Sequence, residues 1–182
     1  LKEFINRFDN YLEFFQEINI SLGPTGELRY PSYNGHDGGR HPNRWRLQCF
    51  SIPARKHYLS WLKNSKLEDN IFEREFIKSS DLKYRLENTD YLNDSDIQSL
   101  FEWYNDALMN HGNEMLKIAL NEIPDIIPIG FKIPGIHWRI EDPKTPRISE
   151  MTCGLINSES LNGQVAYSLS LIHIWRCRRT AQ

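Results

Sequence analysis

The chain has 182 residues, of which 40% are hydrophobic and 25% are charged, and its formal net charge is −2. This composition is typical of a globular domain, and the near-neutral charge gives no electrostatic reason to expect a nucleic-acid partner. No stretch is apolar enough to suggest a membrane span. Cys49, Cys153 and Cys177 lack C-x-x-C spacing, which argues against a zinc site and against a disulfide framework.

The amino-terminal residues predict a helix followed by a strand. The chain opens on Leu1 inside an amphipathic pattern, so we interpret it as a piece of a longer protein, for which secretion and a cytoplasmic location both stay open. Ile18, Ile20 and Leu22 alternate with polar residues, as in a half-buried strand. Residues 1–17 carry one apolar face at helical spacing: Leu1, Phe4, Ile5, Phe8, Tyr11, Leu12 and Phe15.

A tight turn follows this strand and carries a carboxylate. The run Gly23-Pro-Thr-Gly-Glu-Leu-Arg-Tyr-Pro-Ser-Tyr33 ends the strand and presents Glu27 at its carboxyl end, where α/β sheets and barrels keep their chemistry. Arg29, Tyr30 and Tyr33 add a cation and two aromatic hydroxyls, which suit a polyhydroxylated ligand. From the local pattern alone, a salt-bridged structural Glu is the simpler interpretation.

The next segments are less informative about chemistry. Residues 34–45 form a polar loop in which His36, Asp37 and His41 invite a metal interpretation. No predicted helix or strand fixes these side chains, so a solvated or substrate-lining loop is favoured. A helix is predicted over 53–63, opened by Pro53. Residues 64–93 are charged and poorly periodic, and we interpret them as an insertion anchored by Phe72, Phe76 and Leu82.

A long helix and a buried strand complete the pattern. Asp94 or Ser95 caps a helix to about Ile123. His111 on this helix is interpreted as a surface or core residue and not as a ligand. Residues 126–133 are rich in Ile, as expected of a parallel strand buried on both faces. The helix's predicted buried stripe is Ile97, Leu100, Phe101, Tyr104, Leu108, Met115 and Ala119.

Two of these stretches carry a family resemblance. Residues 23–33 resemble the G-P-x-G-E-L-R-Y-P-S-Y signature of the β-amylases, the family 14 glycoside hydrolases, in which the Glu is the general acid. Residues 131–138, Phe-Lys-Ile-Pro-Gly-Ile-His-Trp, resemble the K-x-x-G-x-H-W strand end of the same family. The resemblance implies that Glu27 is catalytic and that Lys132, His137 and Trp138 bind substrate. Arg139 stands where family members often have another aromatic residue.

The resemblance also implies a fold and a reaction. The fold is α/β, a fragment of a (β/α)₈ barrel covering about its fourth and fifth βα units, since 182 residues fall short of the roughly 250 of a whole barrel. The reaction is inverting hydrolysis of α-1,4-glucan from non-reducing ends, releasing β-maltose without a metal or organic cofactor. Inversion needs a second carboxylate, which the family places downstream of this sequence. Glu73, Glu75, Glu102 and Glu114 lie in the insertion or on the long helix and are not expected to replace it.

The carboxyl-terminal segment fits neither the composition nor the pattern of the rest. Residues 169–179, Leu-Ser-Leu-Ile-His-Ile-Trp-Arg-Cys-Arg-Arg, resemble a translated sequencing adapter with a stop codon read as Trp175. We therefore expect residues 1–168 to be a partial glycoside hydrolase barrel and residues 169–182 to be a non-native tail. The alternative for this segment is a basic amphipathic tail.

Two alternative functions remain open at this point. One is a glucan-binding or regulatory homologue that has lost the catalytic base. The other is a different carboxylate glycosidase, of the retaining kind, built on the same barrel. The expected partner is an α-1,4-glucan substrate, with no nucleic acid and no membrane, and the sequence leaves the oligomeric state open.

Overall fold

A computed structural model of the chain describes residues 1–31, 47–62, 71–72, 94–133 and 152–154. In these residues the helices are α1 (Lys2–Arg7), α2 (Ile52–Trp61) and α3 (Ser95–Glu122), and the strands are β1 (Ile18–Ile20) and β2 (Ile129–Phe131). Two short 3₁₀ helices, Asp9–Phe14 and Pro24–Gly26, lie on either side of β1. None of the helices described here is both long and apolar enough to cross a bilayer.

The two strands are parallel neighbours, although α2 and α3 separate them in sequence. Ile18 pairs with Ile129 and Ile20 with Phe131. A hydrogen bond from the Ile18 N–H to the Pro128 carbonyl, at 2.9 Å, extends the pairing by one position. Parallel strands need such a long crossover connection, usually helical, and the predicted parallel arrangement is therefore confirmed.

The prediction of one helix over residues 1–17 is wrong in length and in burial. The α-helix ends at Arg7, and a 3₁₀ helix takes over from Asp9. Asp9 and Asn10 follow the end of the helix, and such residues compete with helical hydrogen bonds. Of the seven residues on the apolar face, only Leu12 is buried. Leu1, Phe4, Phe8 and Tyr11 are exposed, and Ile5 and Phe15 are half-buried.

The second strand is shorter than the predicted 126–133. A turn closed by a hydrogen bond from the Ile127 N–H to the Pro124 carbonyl, at 3.0 Å, occupies the first part of that range. Pro128, which has no N–H to donate, immediately precedes β2. Ile127 is buried but Ile126 is exposed, so the Ile-rich run is not buried throughout.

The long helix agrees closely with its prediction. Asp94 is its N-cap, and the Asp94 carboxylate accepts hydrogen bonds from the backbone N–H groups of Asp96 and Ile97. Capping of this kind contributes about 0.5–2 kcal/mol to helix stability. The predicted stripe is buried except at Met115, which is half-buried.

Two hydrophobic clusters pack along α3. The aromatic cluster lies against the amino-terminal half of the helix and includes the predicted anchor Phe72 from the insertion. The aliphatic cluster lies against the carboxyl-terminal half of the helix, and residues of both β1 and β2 pack in or against it. The aromatic cluster consists of Leu47, Cys49, Tyr58, Ile71, Phe72, Ile97, Leu100, Phe101, Trp103 and Tyr104. The aliphatic cluster consists of Leu12, Ile20, Leu22, Leu28, Leu108, Met109, Ala119, Ile123 and Ile127.

Candidate active site

The polypeptide turns sharply after β1, and this segment, residues 22–28, is called the Glu27 turn below. The Gly26 N–H donates to the Gly23 carbonyl at 3.0 Å, and the Glu27 N–H donates to the Pro24 carbonyl at 3.1 Å. Pro24 fits the first position of the 3₁₀ helix because its φ is preset and its missing N–H is not needed there. Glu27 then returns to extended backbone, with φ −87° and ψ 151°.

Two consecutive residues of the turn have left-handed backbone. Thr25 has φ 58° and Gly26 has φ 82°. Positive φ is ordinary for glycine but a genuine outlier for a β-branched residue such as Thr, with a cost of about 1–3 kcal/mol. Residues held in such conformations depend on the surrounding structure to fix them, and they cluster at functional sites.

Gly23 allows the chain to fold back on itself. A Cβ atom at this position would lie 2.6 Å from the Glu27 carbonyl oxygen and 2.7 Å from the Arg29 carbonyl oxygen. Both distances are far below van der Waals contact with backbone atoms. The absence of a side chain at Gly23 is therefore a geometric requirement for bringing the Glu27 backbone over the end of β1.

The structure brings Glu27 and Lys132 together at the ends of the two strands. The two residues form a parallel β-bridge, and the Leu28 N–H donates to the Lys132 carbonyl at 2.9 Å. Lys132 is exposed, and its Cδ lies 3.9 Å from where a Cβ on Gly26 would be. A carboxylate and an ammonium group from distant motifs thus share one edge of the sheet.

The Glu27 carboxylate is half-buried beside a cation. Its Oε2 atom lies 3.5 Å from Arg29 Nη1, and the two side chains are 29% and 17% exposed, respectively. The remaining exposure leaves the carboxyl accessible to a ligand, and the long ion pair leaves room for another hydrogen-bond partner. A carboxyl group in this setting can exchange a proton with a bound substrate.

The ring of Tyr104 covers one face of the Tyr30 ring. The two rings stack with centroids 4.1 Å apart, and the Tyr30 hydroxyl donates to the Tyr104 carbonyl at 3.4 Å. Burial raises the pKa of the Tyr30 hydroxyl well above its ordinary value. In the described structure Tyr30 therefore packs against Tyr104 with one ring face and has a protein partner for its hydroxyl.

Tyr104 connects three segments around the site, and the sequence pattern identified it only as a core residue. Its hydroxyl accepts a hydrogen bond from the Gln48 N–H at 2.9 Å and donates to the Thr152 carbonyl at 3.0 Å. The next carbonyl, that of Cys153, accepts from the Tyr30 N–H at 2.9 Å. The position of Tyr104 three residues after Phe101 predicts burial but gives no signal of these hydrogen bonds.

Two other glutamates, Glu102 and Glu114, lie away from the strand ends. Burial and the nearby Asp106 raise the pKa of Glu102, but Asp106 accepts a hydrogen bond from Trp61 of α2 at 3.1 Å. Glu102 therefore lies on the side of α3 that faces α2. Glu114 is exposed and pairs with Lys117 at 2.7 Å. Neither residue joins the group formed by Glu27 and Lys132.

Several candidate residues lie outside the described residues. These include the predicted substrate-binding residues His137 and Trp138, as well as Tyr33 and the loop residues His36, Asp37 and His41. Glu73 and Glu75 also fall outside. Within the described ranges, no three side chains of His, Cys, Asp or Glu come together in a way that could hold a metal ion.

Known proteins resemble this chain in sequence and in structure. A β-amylase from Bacillus cereus is 33% identical over 163 residues, which cover 79% of this chain and 28% of that protein. A thermophilic β-amylase from Thermoanaerobacterium thermosulfurigenes is 31% identical over 176 residues, which cover 88% of this chain and 31% of that protein. The chain thus spans about a third of the length of these curated relatives.

A solved structure has the same fold. The catalytic domain of the β-amylase from Paenibacillus polymyxa superposes with a TM-score of 0.61 at 26% identity, covering 84% of this chain and 39% of that one. The described α/β arrangement is accordingly part of a (β/α)₈ barrel, as predicted. The sequence profile described as glycosyl hydrolase family 14 matches residues 1–172. With both of its strand-end motifs inside that match, the chain belongs to glycoside hydrolase family 14.

Proposed function

We propose that the intact protein that contains this chain hydrolyses α-1,4-glucans from their non-reducing ends and releases β-maltose. The observation that carries the proposal is the backbone bridge between Glu27 and Lys132 at the carboxyl ends of β1 and β2. It brings a proton-donating group and a hydrogen-bonding cation to one edge of the barrel sheet, where barrel enzymes act. The names of the relatives, which are β-amylases, support the same reaction.

Glu27 acts in this proposal as the general acid. Its carboxyl group protonates the glycosidic oxygen as the bond to the leaving glucan chain breaks. Inversion requires a second carboxylate about 6.5–9.5 Å away, which activates a water molecule on the opposite face of the sugar. We assign that role to a Glu downstream of this sequence, where the resemblance to the β-amylases places it.

Lys132 and the residues after it bind the sugar. The exposed Lys132 side chain can donate hydrogen bonds to glucose hydroxyls beside the scissile bond. We assign to His137 a second set of hydroxyl contacts and to Trp138 a further contact with the substrate. No metal or organic cofactor takes part in these roles, because acid and base catalysis by two carboxylates completes the reaction.

The configuration of the first product tests the proposal. In an inverting reaction the water attacks opposite the leaving group, so the new reducing end is β. Proton NMR of the intact protein acting on soluble starch, recorded before mutarotation equilibrates the anomers, should show the β-anomer signal of maltose growing first.

The same spectra separate the alternatives. A retaining glycosidase would bring its second carboxylate to about 5–5.5 Å, form a covalent glycosyl-enzyme and release an α product first. An initial α signal would therefore overturn the inverting mechanism. Absence of any product, together with retained binding of maltodextrin, would indicate the glucan-binding homologue and would overturn the proposed enzymatic function.

A further inference from the structure

Helix α3 contacts the first residue of the Glu27 turn through His111. The Nε2 atom of His111 lies 3.0 Å from the Leu22 carbonyl oxygen, a contact between residues 89 positions apart. A carbonyl oxygen can only accept, so Nε2 carries the hydrogen and His111 is the donor. The contact fixes the backbone at the residue where β1 gives way to the turn.

The next residue on α3 meets the other end of the turn. A Cβ atom at Gly112 would lie 3.0 Å from Leu28 Cδ2 and 3.1 Å from Leu28 Cδ1. Leu28 is 5% exposed, so little space is left for its side chain to move away. Adjacent residues of one helix therefore hold the residues on both sides of Glu27, one by a hydrogen bond and one by close packing.

The position of the Glu27 carboxyl depends on this backbone. In the described residues its side chain has one polar contact, the 3.5 Å pair with Arg29, which lies only two positions further along the chain. A shift of the turn would therefore carry the carboxyl and its partner together. We propose that His111 is a positioning residue for the general acid, a role that rests on the proposed function of Glu27.

A positioning role predicts a particular kinetic signature. Starch and maltopentaose have sugar alkoxide leaving groups, which need a proton from the acid as the bond breaks. α-Maltosyl fluoride has a leaving group that departs as the fluoride anion and needs little protonation. A misplaced acid should therefore slow hydrolysis of maltopentaose much more than hydrolysis of the fluoride, whereas general loss of folded protein would slow both equally.

The first experiment compares variants of the intact protein on these two substrates. We expect His111→Ala to lower kcat for maltopentaose by about 10- to 100-fold, the loss typical of a displacement of about 1 Å in a catalytic group. The loss on α-maltosyl fluoride should stay below about threefold, and KM for maltopentaose should change little. Glu27→Gln should give the same pattern with a larger difference between the substrates.

Two conservative variants sharpen the test. The amide nitrogen of a Gln at position 111 can reach about as far as His Nε2, whereas that of an Asn is one bond shorter. We expect His111→Gln to recover most of the activity on maltopentaose and His111→Asn to resemble His111→Ala. Lys117→Ala, on an exposed turn of the same helix, is the matched control and should leave both activities unchanged.

The outcomes separate this inference from the proposed function. Equal losses on the two substrates, or no loss in His111→Ala, would overturn the positioning role while leaving Glu27 as the acid. If the unmodified protein hydrolyses neither substrate, the proposed function fails. The ¹⁵N chemical shifts of the His111 ring test the hydrogen bond to the Leu22 carbonyl directly. A ring protonated at Nε2 supports this hydrogen bond, and a neutral ring protonated only at Nδ1 overturns it.

Discussion

The two halves of α3 pack against the rest of the fold in different ways. The aromatic cluster fills space with large side chains, and Tyr58, Phe72 and Phe101 within it are at most 1% exposed. Tyr58 packs edge to face against Phe72, with ring centroids 5.3 Å apart, and likewise against Trp103. The aliphatic cluster instead contacts the Glu27 turn through Leu22 and Leu28.

The difference separates what stabilises the fold from what shapes the site. Removing volume from the aromatic cluster costs buried apolar surface and leaves a cavity. Around the Glu27 turn, the arrangement depends on close backbone approach and on hydrogen bonds, as at Gly23 and His111. Substitutions in the first region should therefore unfold the protein, whereas substitutions in the second should misplace Glu27 in a protein that stays folded.

The largest effect on stability is expected for Phe101→Ala. Phe101 is completely buried in the aromatic cluster, and truncation of such a ring costs about 3–5 kcal/mol. Chemical denaturation of the intact protein measures the free energy of unfolding. Ile118→Ala on the same helix, where the residue is 50% exposed, is the control and should change it little. A small effect of Phe101→Ala would refute the assignment of stability to this cluster.

Glu27→Gln should show the opposite pattern, with activity lost and stability kept. The substitution removes a proton donor but little volume, so we expect kcat on maltopentaose to fall by about 10²–10⁴-fold while the melting temperature stays within a few degrees. Maltodextrin binding should be largely retained. Glu114→Gln, at an exposed carboxylate paired with Lys117, is the matched control. Near-normal turnover of Glu27→Gln would make Glu27 a structural carboxylate.

Gly23→Ala tests whether the shape of the turn sets the activity. The added Cβ would clash with the Glu27 and Arg29 carbonyl oxygens, so the backbone must move and kcat should fall by about 10²-fold. Gly26→Ala is the control. Its Cβ has room, with its nearest neighbours at 3.9 Å, but the positive φ costs about 1–2 kcal/mol. Greater loss of kcat in Gly26→Ala than in Gly23→Ala would contradict the steric argument.

Tyr104→Phe is expected to have the smallest effect and tests the link between the two regions. The hydroxyl makes two hydrogen bonds, to Gln48 and Thr152, so its removal should destabilise the protein by about 1–3 kcal/mol. The ring, and its stack with Tyr30, would stay. Tyr11→Phe, at a residue that is 59% exposed, should have no measurable effect. Equal unfolding free energies for the two variants would show that the Tyr104 hydroxyl contributes nothing.

Periodicity predicted α3 well and the amino-terminal helix poorly. The α3 stripe repeats over many turns, and Asp94 is a strong cap. At the amino terminus, aromatic residues at helical spacing indicated a buried face, yet Phe4 and Phe8 are exposed in the described residues and pack on each other with centroids 4.9 Å apart. An apolar face in a sequence shows that a surface can be buried, but not what it contacts.

The sequence by itself predicted Glu27 as the candidate acid, because a long motif rich in turn residues presents Glu27 directly after a strand. It also determined the family, through two motifs in the right order. The tertiary structure alone decided that Lys132 bridges Glu27, that Tyr104 covers Tyr30, and that His111 bonds to Leu22. These contacts join residues 74 to 105 positions apart, and local pattern carries no information on pairing over such distances, since the register of parallel strands and the rotation of a helix are set by packing.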